Sequence, residues 1–295
     1  MIEDVLLLPD GRQLGYGIYG DPAGIPILDF HGIPGSRREA ALIADFLGRQ
    51  DICLVGFDRP GYGRSSPVRH FGLGDLAPDV AALADTLKIE RFIALGYSGG
   101  GPFALAAAAA IPERIAVLGI VSGVGPAAIG AQGMHASNRR KFNLAERLPW
   151  LARLLLTSAF SGLRADPEKL AAQLRKIWAQ MPEPDRKALA DARFADGILG
   201  VTRDAILQTV NGWVDEELLM ASPWPFDLQT VRTPSIFLWH GGQDRNVPLA
   251  MGRAVAERLS GCQATYFEDE GHLSLLYNHG AQIVAQLVQA FPRTG

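Results

Sequence analysis

Short apolar runs rich in branched and aromatic residues recur along the first 125 residues. They are "VLLL" from Val5, "QLGYGIYG" from Gln13, "PILDF" from Pro26, "ICLVGFD" from Ile52, "RFIALGY" from Arg91 and "IAVLGIVSG" from Ile115. The later runs are apolar throughout rather than alternating, the pattern of strands covered on both faces, and helix-length segments separate them. The first two lie close enough for a hairpin about the turn Pro9-Asp10-Gly11. "SIFLWHG" from Ser235 and "ATYFED" from Ala264 bring the predicted strands to eight, and "NHGAQIVAQLVQAF" closes the chain as a helix. The pattern predicts an α/β fold: a mostly parallel eight-stranded sheet with helices on both faces.

Between Pro126 and Val231 the period becomes helical, β-branched residues thin out, and Pro149, Pro167, Pro182 and Pro184 break the segment into pieces. The predicted organisation is a core domain formed by residues 1–125 and 232–295, with residues 126–231 as a helical insertion. One glycine pattern is a decoy. Gly15, Gly17 and Gly20 match the letters of a dinucleotide-binding GxGxxG, but they fall inside a predicted strand rather than between a strand and a helix.

Composition narrows the function classes. A chain of 295 residues with 48% hydrophobic content can form one large core carrying an insertion. A net charge of -3 provides no footprint for nucleic acid, and the basic triplet Arg139 to Lys141 reads as a solvated helix face. The most apolar stretch, "LPWLARLLLTSAFSGL", falls short of the roughly 18 residues a membrane span needs and contains Arg153, so no membrane insertion is expected. The start "MIEDVLLLPDGRQ" is acidic where a secretory leader is basic, which predicts a cytoplasmic protein, either monomer or homodimer. Cys53 and Cys262 lie in or beside strand-like runs and are expected to be buried thiols rather than a disulfide pair.

The candidate chemistry centres on Gly96-Tyr97-Ser98-Gly99-Gly100. With 12 serines and 33 glycines in the chain, about 0.15 GxSxG matches arise by accident. The setting is more specific than the letters: a buried-strand pattern precedes the match and the helix former "PFALAAAAA" follows it. A strand-to-helix turn this tight needs vanishing side chains around the serine, which then stands exposed as a nucleophile at the helix amino terminus. A serine hydroxyl needs a base, and the base an orienting acid. Asp244, just past "SIFLWHG", and His272, just past "ATYFED", supply acid and base in the chain order Ser, Asp, His. Glu268 and Asp269 are too near His272 in the chain to reach its far ring nitrogen. The predicted oxyanion donors are the backbone NH groups of Gly99 and, in "LDFHGIPGSRREA", of Ile33. His31 is expected to be structural. Although His31, His240, Asp244 and His272 could approach one sheet edge, no HExxH or other close-spaced ligand pair occurs, and neither metal nor cofactor is expected.

With "HGIPGSR" at His31 to Arg37, "DRPGYGRSS" at Asp58 to Ser66, "WHGGQDRNVP" and "EGHLSLL", nearly the whole chain resembles the α/β-hydrolase superfamily, in the branch similar in outline to proline iminopeptidases. The resemblance implies a serine hydrolase with residues 126–231 as a helical cap over a small-molecule site. A carboxylic ester with a partly hydrophobic group is the expected substrate. Proline iminopeptidases carry tryptophan after the nucleophile, where this chain has Gly99. Haloalkane dehalogenases and epoxide hydrolases of this fold use aspartate where it has Ser98. Carbon-carbon bond hydrolysis, peptidase and cofactor-free oxygenase chemistry use the same triad, and a non-catalytic ligand-binding protein also fits the fold. Trp150, Trp178 and Trp213 are candidates for a hydrophobic pocket or for the insertion's own core.

Overall fold

The computed structural model describes residues 2–47 and 51–292. In chain order the elements begin with β1 (Ile2–Leu7), β2 (Gln13–Gly20), β3 (Ile25–Phe30), α1 (Glu39–Leu47), β4 (Ile52–Phe57), α2 (Ala77–Thr86), β5 (Phe92–Tyr97), α3 (Gly100–Ala110) and β6 (Ile115–Val121). The segment before the next strand contains α4 (Ala136–Arg147), α5 (Pro149–Ala165), α6 (Pro167–Trp178), α7 (Glu183–Ala188), α8 (Ala192–Ala205) and α9 (Asn211–Met220). Four elements complete the chain: β7 (Ser235–Gly241), α10 (Leu249–Ala256), β8 (Cys262–Phe267) and α11 (His272–Ala290).

The eight strands form one sheet in the order β1-β2-β4-β3-β5-β6-β7-β8. β1 and β2 form the hairpin, β2 runs antiparallel to β4, and every later pairing is parallel. The GxGxxG letters lie within β2. Neither face of the central strands meets water, which explains their uninterrupted apolar sequence. On β5, Phe92 and Ala94 pack into one core with residues of α2, α3 and α10, whereas Ile93, Leu95 and Tyr97 pack into a second with α1 and α11. β7 divides the same way, Ile236 and Leu238 against Phe237 and Trp239. Cys53 is buried and Cys262 half-buried, and both are free.

α3 is buried around its whole circumference from Gly100 to Ala108. Its alanines and glycines allow that burial, because the helix must lie against the sheet while its first turn presses on the end of β3. A Cβ at Gly100 would overlap the Phe30 carbonyl oxygen, and one at Gly96 would lie 2.9 Å from both the Ala104 Cβ and the Gly101 Cα. Gly74, by contrast, has no atom within 4 Å of the equivalent position. Gly100→Ala is therefore expected to destabilise the protein by about 3 kcal/mol or more, and Gly74→Ala to stay within about 0.5 kcal/mol of wild type. Urea denaturation of the two variants measures the contrast, and equal midpoints would show that α3 has room to move away from β3.

Candidate active site

The parallel strands end at one edge of the sheet, and the loops beyond their carboxyl ends bring the predicted residues together. Ser98 follows β5 directly. Its φ of +52° places it in the left-handed region, at a cost on the order of 1–3 kcal/mol that packing must offset. That packing is the contact between α3 and β3, fixed further by bonds from the Ser98 NH to the Val121 carbonyl (2.9 Å) and from the Val124 NH to the Ser98 carbonyl (3.1 Å).

Ser98 Oγ lies 3.0 Å from His272 Nε2, and His272 Nδ1 lies 2.7 Å from Asp244 Oδ2. The other Asp244 oxygen accepts the NH groups of Asn246 and Val247, each at 2.8 Å, so the carboxylate is held from both sides. His272 is not on the loop after β8, as its sequence position suggests, but is the first residue of α11. Burial pulls its imidazole toward the neutral form. The charges and hydrogen bond of Asp244, with Asp185 and Glu39 behind them, outweigh this and hold the imidazole above its ordinary value.

Behind Ser98, Gly32 donates its NH to both Glu39 carboxylate oxygens, at 3.0 and 3.1 Å. The next NH in the loop, that of Ile33, and the NH of Gly99 have no protein acceptor among the described residues. Both residues line the cavity into which Ser98 and His272 open. A Cβ at Gly99 would run into the Ile33 side chain, so the residue after Ser98 must be small if Ile33 stays in place.

The cavity has a volume of about 420 Å³ and its walls are mainly apolar, with Phe142, Phe160, Leu174, Trp178, Trp213 and Met220 among them. Trp150 is not part of it; that side chain is 67% exposed on α5. The basic triplet also divides. Arg139 and Arg140 are solvated, whereas Lys141 faces the cavity and pairs with Glu217. His31 is fully buried, donates from Nδ1 to the Gly32 carbonyl at 2.8 Å, and is kept neutral by burial and by Arg59. His240 lies beneath Asp244 and bonds through Nε2 to the Val247 carbonyl.

Residues 25–279 match the family described as the alpha/beta hydrolase fold. The chain belongs to the α/β-hydrolase family. It is 34% identical over 292 residues to the uncharacterized hydrolase YcgS of Bacillus subtilis (strain 168), covering 92% of this chain and 93% of the relative. It is 34% identical over 119 residues to a non-heme chloroperoxidase of Streptomyces lividans, and 35% identical over 115 residues to a proline iminopeptidase of Xylella fastidiosa (strain 9a5c). Those matches cover 40% and 37% of this chain and span less than half of each relative, 43% and 36% of their lengths. Among solved structures, the esterase RhEst1 from Rhodococcus sp. ECU1013 superposes with a TM-score of 0.71 at 21% identity, over 99% of this chain and all of that one, a likeness of fold.

In this member of the α/β-hydrolase family the two arginine motifs clamp the loops around the site. Arg37 of "HGIPGSR" donates its NH to Asp58 (2.7 Å) and its guanidinium to Asp58 and to Asp204 of α8. Arg59 of "DRPGYGRSS" binds the His31 and Gly32 carbonyls and forms a bidentate pair, at 2.6 and 2.7 Å, with Glu216 of α9. Both arginines are buried. Removing Glu216 would strand the buried Arg59 charge, at a cost of about 3–5 kcal/mol, whereas Arg37, which also pairs with Glu3, keeps a partner when one is lost.

Sequence reasoning missed Glu39 and Asp29, two buried carboxyls behind the Gly32 turn. Glu39 looks like an ordinary acid in the first turn of a helix, and Asp29 like a polar interruption in a strand. Asp29 has no hydrogen-bond partner among the described residues, and burial, with Glu39 nearby, raises it well above the carboxylate range. Burial pushes Glu39 up to about 7 against the opposing pull of the Gly32 NH, Arg59 and His272. The folded state thus holds a proton on Glu39 that the unfolded chain releases near its ordinary value. The resulting penalty is absent in acid, grows as pH rises through that window, and is constant above about 7. Measured by denaturation from pH 5 to pH 8, wild type is expected to lose up to about 3 kcal/mol relative to Glu39→Gln. A difference that does not change with pH would contradict this reading of Glu39.

Proposed function

We propose that this protein is a serine hydrolase acting on a small carboxylic ester with an apolar acyl or alcohol group. The observation that carries the reading is the continuous chain from Asp244 through His272 to Ser98 Oγ, opening beside two unbonded NH groups into a largely apolar cavity. His272 Nε2 takes the Ser98 proton as Oγ attacks the ester carbonyl, and Asp244 holds the ring and stabilises the imidazolium. The NH groups of Ile33 and Gly99 receive the negative oxygen of the tetrahedral intermediate. His272 then returns the proton to the departing alcohol, leaving an acyl group on Ser98. A water molecule, deprotonated by the same imidazole, releases the acid and restores the serine.

In this reading residues 126–231 are the cap, whose helices supply most of the apolar wall. Solved esterases of this fold, including RhEst1, accord with ester chemistry. Proline iminopeptidases carry tryptophan after their nucleophile where this chain has Gly99 packed against Ile33, a departure that supports the ester reading over the peptidase one.

A series of p-nitrophenyl esters from acetate to octanoate tests the proposal. Turnover is expected with an optimum at intermediate chain length, and Ser98→Ala should lower kcat/KM by at least roughly 10⁴-fold. Because His272 must be neutral to act as base, kcat/KM should rise with pH through its titration and level off above it. Saturable ester binding without turnover by the wild-type protein would instead identify a ligand-binding protein on this fold.

A further inference from the structure

His272 stands at the first position of a 19-residue helix, a place with two physical consequences. The first-turn NH groups of a helix have no intrahelical acceptors, and the positive end of the helix dipole disfavours a cation there. An imidazole at that position is pushed toward its neutral form, whereas the proposed reaction requires it to become imidazolium twice per turnover.

The fold answers both demands with one side chain from the inserted segment. Asp185 of α7 is completely buried, and its carboxylate accepts the NH groups of His272 (3.1 Å), Leu273 (2.8 Å) and Ser274 (2.9 Å). The remaining NH at this turn, from Gly271, is taken by Ser274 Oγ at 2.8 Å. A Cβ at Gly271 would strike the Asp185 carboxyl, so the glycine beside His272 is what admits it. Four residues before Asp185, Met181 lines the cavity wall. One short stretch therefore touches both the substrate space and the backbone of His272.

We propose that Asp185 is a positioning residue for His272: its carboxylate anchors the first turn of α11 to the inserted helices and offsets the helix dipole beneath the imidazole. This rests on the reading of His272 as the general base. The groups facing His272 from the surrounding elements are Asp244 after β7, Asp185 on α7, Glu39 on α1, His240 on β7 and Tyr97 on β5. Asp244, Asp185 and Glu39 favour the imidazolium, while His240 is held neutral by burial and Tyr97 is kept protonated by burial. Of these three carboxylates, Asp185 is the one that bonds the backbone of the helix carrying the ring, and Tyr97 donates its hydroxyl to the His272 carbonyl at 3.1 Å. Its own carboxyl is raised by burial, an effect opposed by the Ser274 and His272 NH groups and by the His272 charge.

The test combines three measurements. In the wild-type protein, hydrogen exchange should find the His272, Leu273 and Ser274 amides protected, although first-turn amides ordinarily exchange freely. NMR titration of the His272 imidazole in the free protein should give a midpoint lower by at least about half a pH unit in Asp185→Asn than in wild type. On a neutral p-nitrophenyl ester, the acid limb of kcat/KM should move with that midpoint, and kcat should fall about 10-fold while KM changes less than about 2-fold. A variant that melts earlier but keeps the wild-type midpoint and acid limb would overturn the proposal. If Asp185→Asn does not fold, the exchange experiment decides, because unprotected amides at these three positions refute the anchor. The first two measurements need no turnover. A shifted midpoint in a protein inactive on every ester would refute the esterase reading and leave this one standing.

Discussion

The contact on which the rest of the site depends is the one between the first turn of α3 and the carboxyl end of β3. The Phe30 carbonyl oxygen occupies the space where any side chain at Gly100 would begin, and Ala104 and Gly101 close the space beside Gly96. With strand and helix this close, the connecting residue has no ordinary conformation available, and Ser98 adopts a φ of +52°. Its side chain is thereby directed away from the sheet, toward His272. The same approach brings the start of α3 beside the loop of Ile33, so that the free NH of Gly99 and that of Ile33 border one space. Local strain is tolerated because the two cores on either side of the sheet stabilise the close approach.

A second layer of organisation comes from buried charge. The helices between β6 and β7 meet the rest of the described residues through apolar packing and through carboxylates, among them the buried Asp204 on Arg37, Glu216 on Arg59, and Asp185 on the first turn of α11. Each reaches a segment that shapes the site. Arg37 holds the start of α1 against Asp58, Arg59 holds the carbonyls of the His31-Gly32 turn, and α11 begins with His272. Desolvation consumes most of the attraction in such pairs, so their net contribution to stability is small, but a misplaced helix would leave charges buried without partners.

How much of this could be read from residues follows from the range of each interaction. The central strands were legible because burial on both faces leaves continuous apolar runs, and the Ser98 turn because its glycines are adjacent in sequence. Asp244 and His272 were legible because they follow apolar strands in a recognisable order. The helical start at His272 was not, since its first turn is satisfied by Asp185, 87 residues earlier in the chain. Glu216 is likewise 157 residues from Arg59, and nothing near either one announces the pair. Glu39 and Asp185 both sit in the first turn of a helix, where an acid has a sufficient local explanation that conceals a distant role. Trp150 and Lys141 show the reverse, as the tryptophan faces solvent and the lysine faces the cavity, because helix orientation depends on packing that no single period reveals.

The central claim is that Ser98 is a nucleophile activated by His272. Reaction with an organophosphonate, followed by peptide mapping, tests it most directly, because the phosphorus centre is attacked by an activated nucleophile, which loses its proton and displaces the leaving group to form a stable bond. The account predicts one phosphonate per chain, on the peptide carrying Ser98, no labelling of Ser98→Ala, and labelling of His272→Ala slowed by at least roughly 10²-fold. Label on any other residue, or an unchanged rate in His272→Ala, would contradict it.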